Sequence, residues 1–176
     1  MRRLMLLRHA KTETDAPSGN DRDRRLDERG QRDSVMLGEW IATHPPFPEI
    51  VLVSPAQRAR QTWEIAWDTM MDRCPLPLVE NRPELYGADP AHLLQAIRSV
   101  PGPRQLLLIG HNPGMHELAL MLVDGRMNDI GRDLAINLPT AGLAIFDFDV
   151  SDWAAVSYRS GRLARFVSPR LLREEC

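Results

Sequence analysis

Two histidines stand at the exits of short apolar runs: Leu4–Leu7 leads into Arg8-His9, and Leu106–Ile109 leads into Gly110-His111. Ligands of open α/β sheets bind beyond the carboxyl ends of the strands, so both imidazoles are expected over one pocket. Arg8 adjoins the first histidine, and Arg58 falls in the first turn of the helix expected after a later strand. Guanidinium forks match the oxygens of phosphate, and a helix start beside His111 would add backbone donors and positive dipole. The expected ligand is therefore an anion, and phosphate fits best.

Each of these residues also has a plainer reading. A histidine taken alone is usually a surface or core residue, and His44, His92 and His116 are left there, one in a helix-ending proline segment and two on helices. Arg58 taken alone reads as a solvated helix residue. Metal binding is the rival use of the histidines. The step from His111 to His116 is not the i, i+4 spacing of a helical zinc site, and no Cys or His cluster supplies further ligands, so no metal is expected.

The elements that must position these groups alternate. Leu4–Leu7 reads as a buried strand, followed by a polar loop from Lys11 to Arg25. Asp27 can cap a helix to about Thr43 that turns Leu37, Trp40 and Ile41 inward. Ile50–Val53 is the next strand. Ser54-Pro55-Ala56-Gln57 then reads as a helix start, with Ser54 as the capping residue, and Ala59, Trp63, Ala66, Trp67 and Met70 mark its core face. Pro75–Glu80 is a weak strand, Asp89-Pro90 opens a helix ending near Val100, and Pro101-Gly102-Pro103 breaks the chain before Leu106–Ile109. Asn112-Pro113 caps and begins a helix facing Met115, Leu118, Ala119 and Leu122 inward, with Gly125 just past its end. Leu143–Phe148 and Leu163–Val167, the latter after the Ser160-Gly161 turn, complete the strands. The expected architecture is a layered α/β sheet.

With 176 residues and no linker or repeat, one domain over residues 1–176 is expected, since a single core serves chains below about 250 residues. A formal charge of −2 gives no bias toward nucleic acid or membrane, and no apolar stretch approaches transmembrane length. Arg8 cuts the first apolar run too short for a signal peptide. Cys74 and Cys176 are too few for a disulfide framework, so a reducing cytoplasm is the expected location.

Four segments together carry a family resemblance. Leu6-Leu7-Arg8-His9-Ala10-Lys11 and Ser54-Pro55-Ala56-Gln57-Arg58-Ala59-Arg60-Gln61-Thr62 resemble the first two signatures of the histidine phosphatase, or phosphoglycerate-mutase-like, superfamily. Glu84-Leu85-Tyr86-Gly87 and Gly110-His111-Asn112-Pro113-Gly114 resemble the other two. The loop Asp23–Gly30 and the segment Ser160–Pro169 are similar to the small SixA-type phosphohistidine phosphatases, so the likeness spans nearly the whole chain. It implies a three-layer α/β/α sandwich around a central, mostly parallel sheet.

The resemblance also implies roles. His9 would be the nucleophile, forming a phosphohistidine intermediate that water hydrolyses. Arg8, Arg58 and His111 would bind the phosphoryl oxygens, Glu84 would be the general acid and then the base, and Arg24 would line the entrance to the substrate site. No metal or other cofactor is implied, because the protein supplies the positive charge. Two residues depart from the pattern. Ala10 stands where the superfamily usually has glycine, as in SixA-like members, and Arg25 stands where a proline is common.

Short spacings between the motifs leave little chain for a lid, so the pocket should accept a phosphohistidine projecting from another protein, such as a phosphotransfer protein. Two alternatives stay open: a small-molecule phosphomonoesterase of the same superfamily, and a non-catalytic module that binds phosphoproteins through Arg8, Arg24 and Arg58.

Overall fold

The computed structural model describes residues 1–125 and 128–175. Its centre is a six-stranded sheet of β1 (Arg2–Arg8), β2 (Ile50–Val53), β3 (Leu78–Asn81), β4 (Gln105–Gly110), β5 (Leu143–Phe148) and β6 (Arg162–Val167). The order is β3-β2-β4-β1-β5-β6, with β1, β2, β3 and β4 mutually parallel and β5 and β6 antiparallel additions at one side. The mostly parallel sheet is as expected, and β3 begins three residues later than the apolar pattern suggests.

Alternation along the strands builds two cores. Leu4, Leu6, Leu106, Leu108, Phe146 and Phe148 face one way, onto α3 (Pro90–Arg98), α4 (Gly114–Leu122) and α5 (Asp129–Ile136). Met5, Leu7, Val51, Val53, Leu107 and Ile109 face the other, onto α1 (Glu28–Ala42), α2 (Gln57–Met70) and α6 (Pro169–Glu174). Parallel strands covered on both sides need apolar residues at successive positions, which explains the unbroken runs that mark β1, β2 and β4. The result is the three-layer α/β/α sandwich.

Local chemistry sets several boundaries. Asp27 caps α1 by accepting from the Gly30 N–H at 2.7 Å, and Asp89 caps α3 by accepting from the His92 N–H at 2.9 Å. Ser54 does not cap α2, because that helix starts at Gln57 with Ala56 in the capping position and no side chain serving it. The serine is used elsewhere, as described below. Asn112 acts one residue earlier than a capping residue would. Pro113 holds the cap position of α4, while the Asn112 Oδ1 accepts from the His116 N–H at 3.2 Å. Cys74 is buried and unpaired, and Cys176 lies outside the described residues. Among the described residues no helix is long and apolar enough to cross a membrane.

Candidate active site

Register alone brings the two histidines together. Arg8 lies opposite Gly110 in the parallel β1/β4 pair, and Val53 lies opposite Ile109 in β2/β4, so His9, His111 and Ser54 all leave the sheet at one edge. The imidazole centroids of His9 and His111 are 5.2 Å apart with the rings tilted by 53°. Both rings are buried, as is the Arg58 side chain that α2 sends to the same edge.

His9 is held by its own backbone. Its Nδ1 lies 2.8 Å from the Ala10 carbonyl oxygen, which can only accept, so Nδ1 carries the proton and Nε2 keeps its lone pair. Ala10 is fixed in turn. Its N–H donates to the Thr62 Oγ1 at 3.0 Å, and the Thr62 hydroxyl donates to the Arg58 carbonyl at 2.7 Å, tying the turn after His9 to the helix that carries Arg58. Burial, then the neighbouring His111, Arg58 and Arg8, push the His9 pKa down to about 3 despite the opposing Ala10 contact. The ring is neutral at physiological pH, as a nucleophile must be.

His111 is oriented by Ser54. The Ser54 Oγ sits 2.7 Å from the His111 Nε2 and accepts from the Ala56 N–H at 3.3 Å. With one lone pair taken by the Ala56 N–H, the hydroxyl still has its proton and a second lone pair to offer, so it holds the His111 Nε2 in either tautomer. The His111 Nδ1 is buried and has no partner. Burial first, then Arg58, Arg8 and Arg24, bring the His111 pKa down to about 4, against the opposing charge of Asp21.

At this edge of the sheet the Nε of Arg8 and the Nε of Arg58 are also buried without partners. Arg8 gives its Nη1 to the Leu138 carbonyl at 3.2 Å, the same oxygen that accepts from the Asn112 Nδ2 at 2.8 Å, so one carbonyl steadies both histidine-bearing turns. Burial lowers the Arg8 pKa. Unpartnered buried nitrogens are costly, and these three belong to residues that meet His9 at one edge of the sheet, an arrangement suited to an oxyanion. Side chains build this cradle-like arrangement more than the α4 start does. The N–H groups of Met115, His116 and Glu117 are already taken by the His111 carbonyl, the Asn112 side chain and the Pro113 carbonyl.

The loop after β1 supplies an element that sequence reasoning missed. Asp21 opens a 3-10 turn (Asp21–Asp23) and faces Arg58, which donates its Nη1 to the Asp21 carbonyl at 2.7 Å and its Nη2 to Oδ2 at 3.0 Å. The Tyr86 hydroxyl also donates to Oδ2, at 2.5 Å, and Arg24 donates its Nε to Oδ1 at 2.9 Å. The Tyr86 hydrogen bond, followed by those of Arg58 and Arg24, holds the Asp21 carboxyl well below the usual carboxylate range despite some desolvation. Tyr86 presents its ring edge-on to His111, centroids 5.6 Å apart. Arg24 is thus in the cluster, bonded to Asp21 and to the Thr12 Oγ1 at 2.8 Å, while Arg25 pairs with Glu13.

Glu84, the expected general acid, is engaged by Arg82. It lies on the turn Pro83–Leu85, but its half-exposed carboxylate takes the Arg82 Nε at 2.5 Å. Desolvation works against ionisation there, yet the Arg82 contact leaves its pKa below the usual value. A general acid at neutral pH needs the opposite shift. Among the described residues no group of three or more His, Cys, Asp or Glu is placed to hold a metal ion.

A sandwich of this topology, with a neutral histidine and unpartnered arginine nitrogens at the strand ends, is suited to phosphoryl chemistry. Residues 4–81 match the histidine phosphatase superfamily (branch 1), and an uncharacterized protein of Mycobacterium tuberculosis is 33% identical over 168 residues, covering 93% of this chain and all of that one. The chain belongs to the histidine phosphatase superfamily. Among solved structures, a candidate phosphohistidine phosphatase SixA from Nakamurella multipartitia superposes with a TM-score of 0.81 at 25% identity, covering 96% of each chain. The protein histidine phosphatase SixA in complex with tungstate gives 0.76 at 25% identity, covering 97% of this chain and 99% of that one.

Proposed function

We propose that this phosphatase removes the phosphoryl group from phosphohistidine on a partner protein, without a metal, through a phosphohistidine formed at His9. The observation that carries this reading is the trio of buried, unpartnered nitrogens on Arg8, Arg58 and His111, at the same sheet edge as a histidine whose Nε2 lone pair is free. They would take the three equatorial oxygens while His9 attacks in line, and the positive charge of the two arginines is already in place as the transition state forms. The SixA neighbour bound to tungstate, a tetrahedral oxyanion, supports such a pocket.

The acid–base chemistry supports phosphohistidine over an ester. Asp21, which bonds Arg58, and Glu84, which bonds Arg82, are both held ionised by these partners and carry no proton to give an alkoxide. A phosphohistidine ring protonated on its other nitrogen needs none, because it departs as neutral imidazole when the P–N bond breaks. The partner would be a phosphotransfer protein whose histidine projects into the site.

The test is phosphate release, with EDTA present, from a phosphohistidine-bearing phosphotransfer protein and from p-nitrophenyl phosphate, for wild type and His9→Ala. Release from the phosphoprotein that the variant abolishes is the expected result. Faster kcat/KM on the ester would move the assignment to a small-molecule phosphomonoesterase, and binding without release from either would make the protein a phosphoprotein-binding module.

A further inference from the structure

Asp21 places a carboxylate beside the phosphate cradle, where no phosphate-binding task calls for a negative charge. Its Oδ2 accepts from Arg58 and Tyr86, and its Oδ1 accepts from Arg24. A carboxylate offers about four lone-pair sites, so Oδ1 retains one acceptor position. The side chain is 51% exposed, so a ligand arriving from solvent can reach it. Arg58 points its Nη1 and Nη2 edge at Asp21 and leaves its buried Nε for the oxyanion, which sets the two functions on different edges of one guanidinium.

We infer that Asp21 is the leaving-group residue of this site: its Oδ1 accepts the ring N–H of the substrate's phosphohistidine and thereby selects phosphoramidates over phosphate esters. The inference rests on the phosphohistidine reading above. The two imidazoles would then be treated alike. His9 gives its Nδ1–H to the Ala10 carbonyl and attacks through Nε2, and the substrate ring gives its non-phosphorylated N–H to Asp21. The His9 Nε2 lone pair forms the new P–N bond, and the old P–N bond breaks with its electron pair on the substrate nitrogen. The substrate ring leaves neutral with its proton still in place, and the His9 ring becomes the cation. Water then attacks phosphorus, the P–Nε2 bond breaks with its pair returned to His9, and the water proton leaves with phosphate. An ionised Asp21 has nothing comparable to offer an alcohol or phenol.

The test compares wild type and Asp21→Asn on a chemically phosphorylated histidine peptide and on p-nitrophenyl phosphate. Asparagine keeps an oxygen for Arg58, which also retains its bond to the main-chain carbonyl of residue 21. The expected result is a fall of about 10- to 100-fold in the ratio of kcat/KM on the phosphopeptide to kcat/KM on the ester, the span of a charge-assisted hydrogen bond. Equal loss on both substrates would make Asp21 only a support for Arg58, and a gain on both would make it a competitor of phosphate. Either overturns the inference. Tyr86→Phe removes one partner of the carboxylate without removing the carboxylate, so the ratio between substrates should hold, and a shift as large as that of Asp21→Asn would also refute the assignment. Wild type inert toward the phosphopeptide would refute the phosphohistidine reading itself, and this inference with it. Turnover of the peptide with an unchanged ratio in Asp21→Asn would refute this inference alone.

Discussion

Acidification from pH 7 to pH 5 should destabilise the fold through the two site histidines. In the folded chain His9 stays neutral down to about 3 and His111 down to about 4, whereas in the unfolded chain both take up a proton near 6.5. The unfolded state therefore binds more protons throughout this window, so stability is complete above about 6.5 and is lost as pH falls toward the folded values. Integrating over the two pH units gives about 2 kcal/mol for each histidine, together about 4 kcal/mol at constant ionic strength. Both rings are buried, so little of this is lost to solvent screening. Urea unfolding at the two pH values, followed by fluorescence of the four tryptophans, measures the difference by linear extrapolation. His9→Gln should remove about half of the pH dependence and His9→Gln/His111→Gln nearly all of it. If the double variant keeps the full dependence, the histidines are not the buried neutral groups described.

The same neutrality predicts that the rate of phosphoenzyme formation does not fall from pH 7.5 to 5.5, where an ordinary imidazole nucleophile would lose about ten-fold; a pre-steady-state burst measures it. Ser54→Ala should leave the fold intact and lower kcat by about 10- to 100-fold, because His111 loses the hydroxyl that holds its Nε2, and nitrogen NMR of the His111 ring should show the lost hydrogen bond. Glu84→Gln should cost less than about three-fold in phosphohistidine turnover, since its carboxylate serves Arg82, whereas loss of a true general acid costs about 10²- to 10⁴-fold. Gly114→Ala would put a Cβ 2.1 Å from the Ala88 carbonyl oxygen. It should cost about 1–3 kcal/mol in thermal or urea unfolding, and it should reduce activity by moving the turn beside His111.

Much of this was legible in the sequence because it is written locally. Buried parallel strands are unbroken apolar runs, so Leu4–Leu7, Ile50–Val53 and Leu106–Ile109 marked the sheet, and the histidines at their ends marked its functional edge. The contacts that went unread are long-range. Ser54 has the local grammar of a helix cap, and only the register of β2 beside β4 reveals that its hydroxyl belongs to His111, 57 residues away. Asp21 lies in a polar loop that reads as solvent-facing, and its partners Arg58 and Tyr86 are 37 and 65 residues away. Thr62 was read only as part of a motif, although its hydroxyl joins Ala10 to α2. The eight-residue α5 went unseen because it buries only Gly131 and Leu134, too few for a periodic signal.

The central claim is that His9 carries the phosphoryl group during turnover, and the most direct measurement is to trap it. Wild-type enzyme mixed with 32P-labelled phosphohistidine protein and quenched within one turnover in alkali, which spares phosphohistidine, should yield labelled enzyme whose phosphate maps to the peptide containing His9. His9→Ala should yield none. Label on another residue, or full turnover with no labelled enzyme at any quench time, would contradict the account.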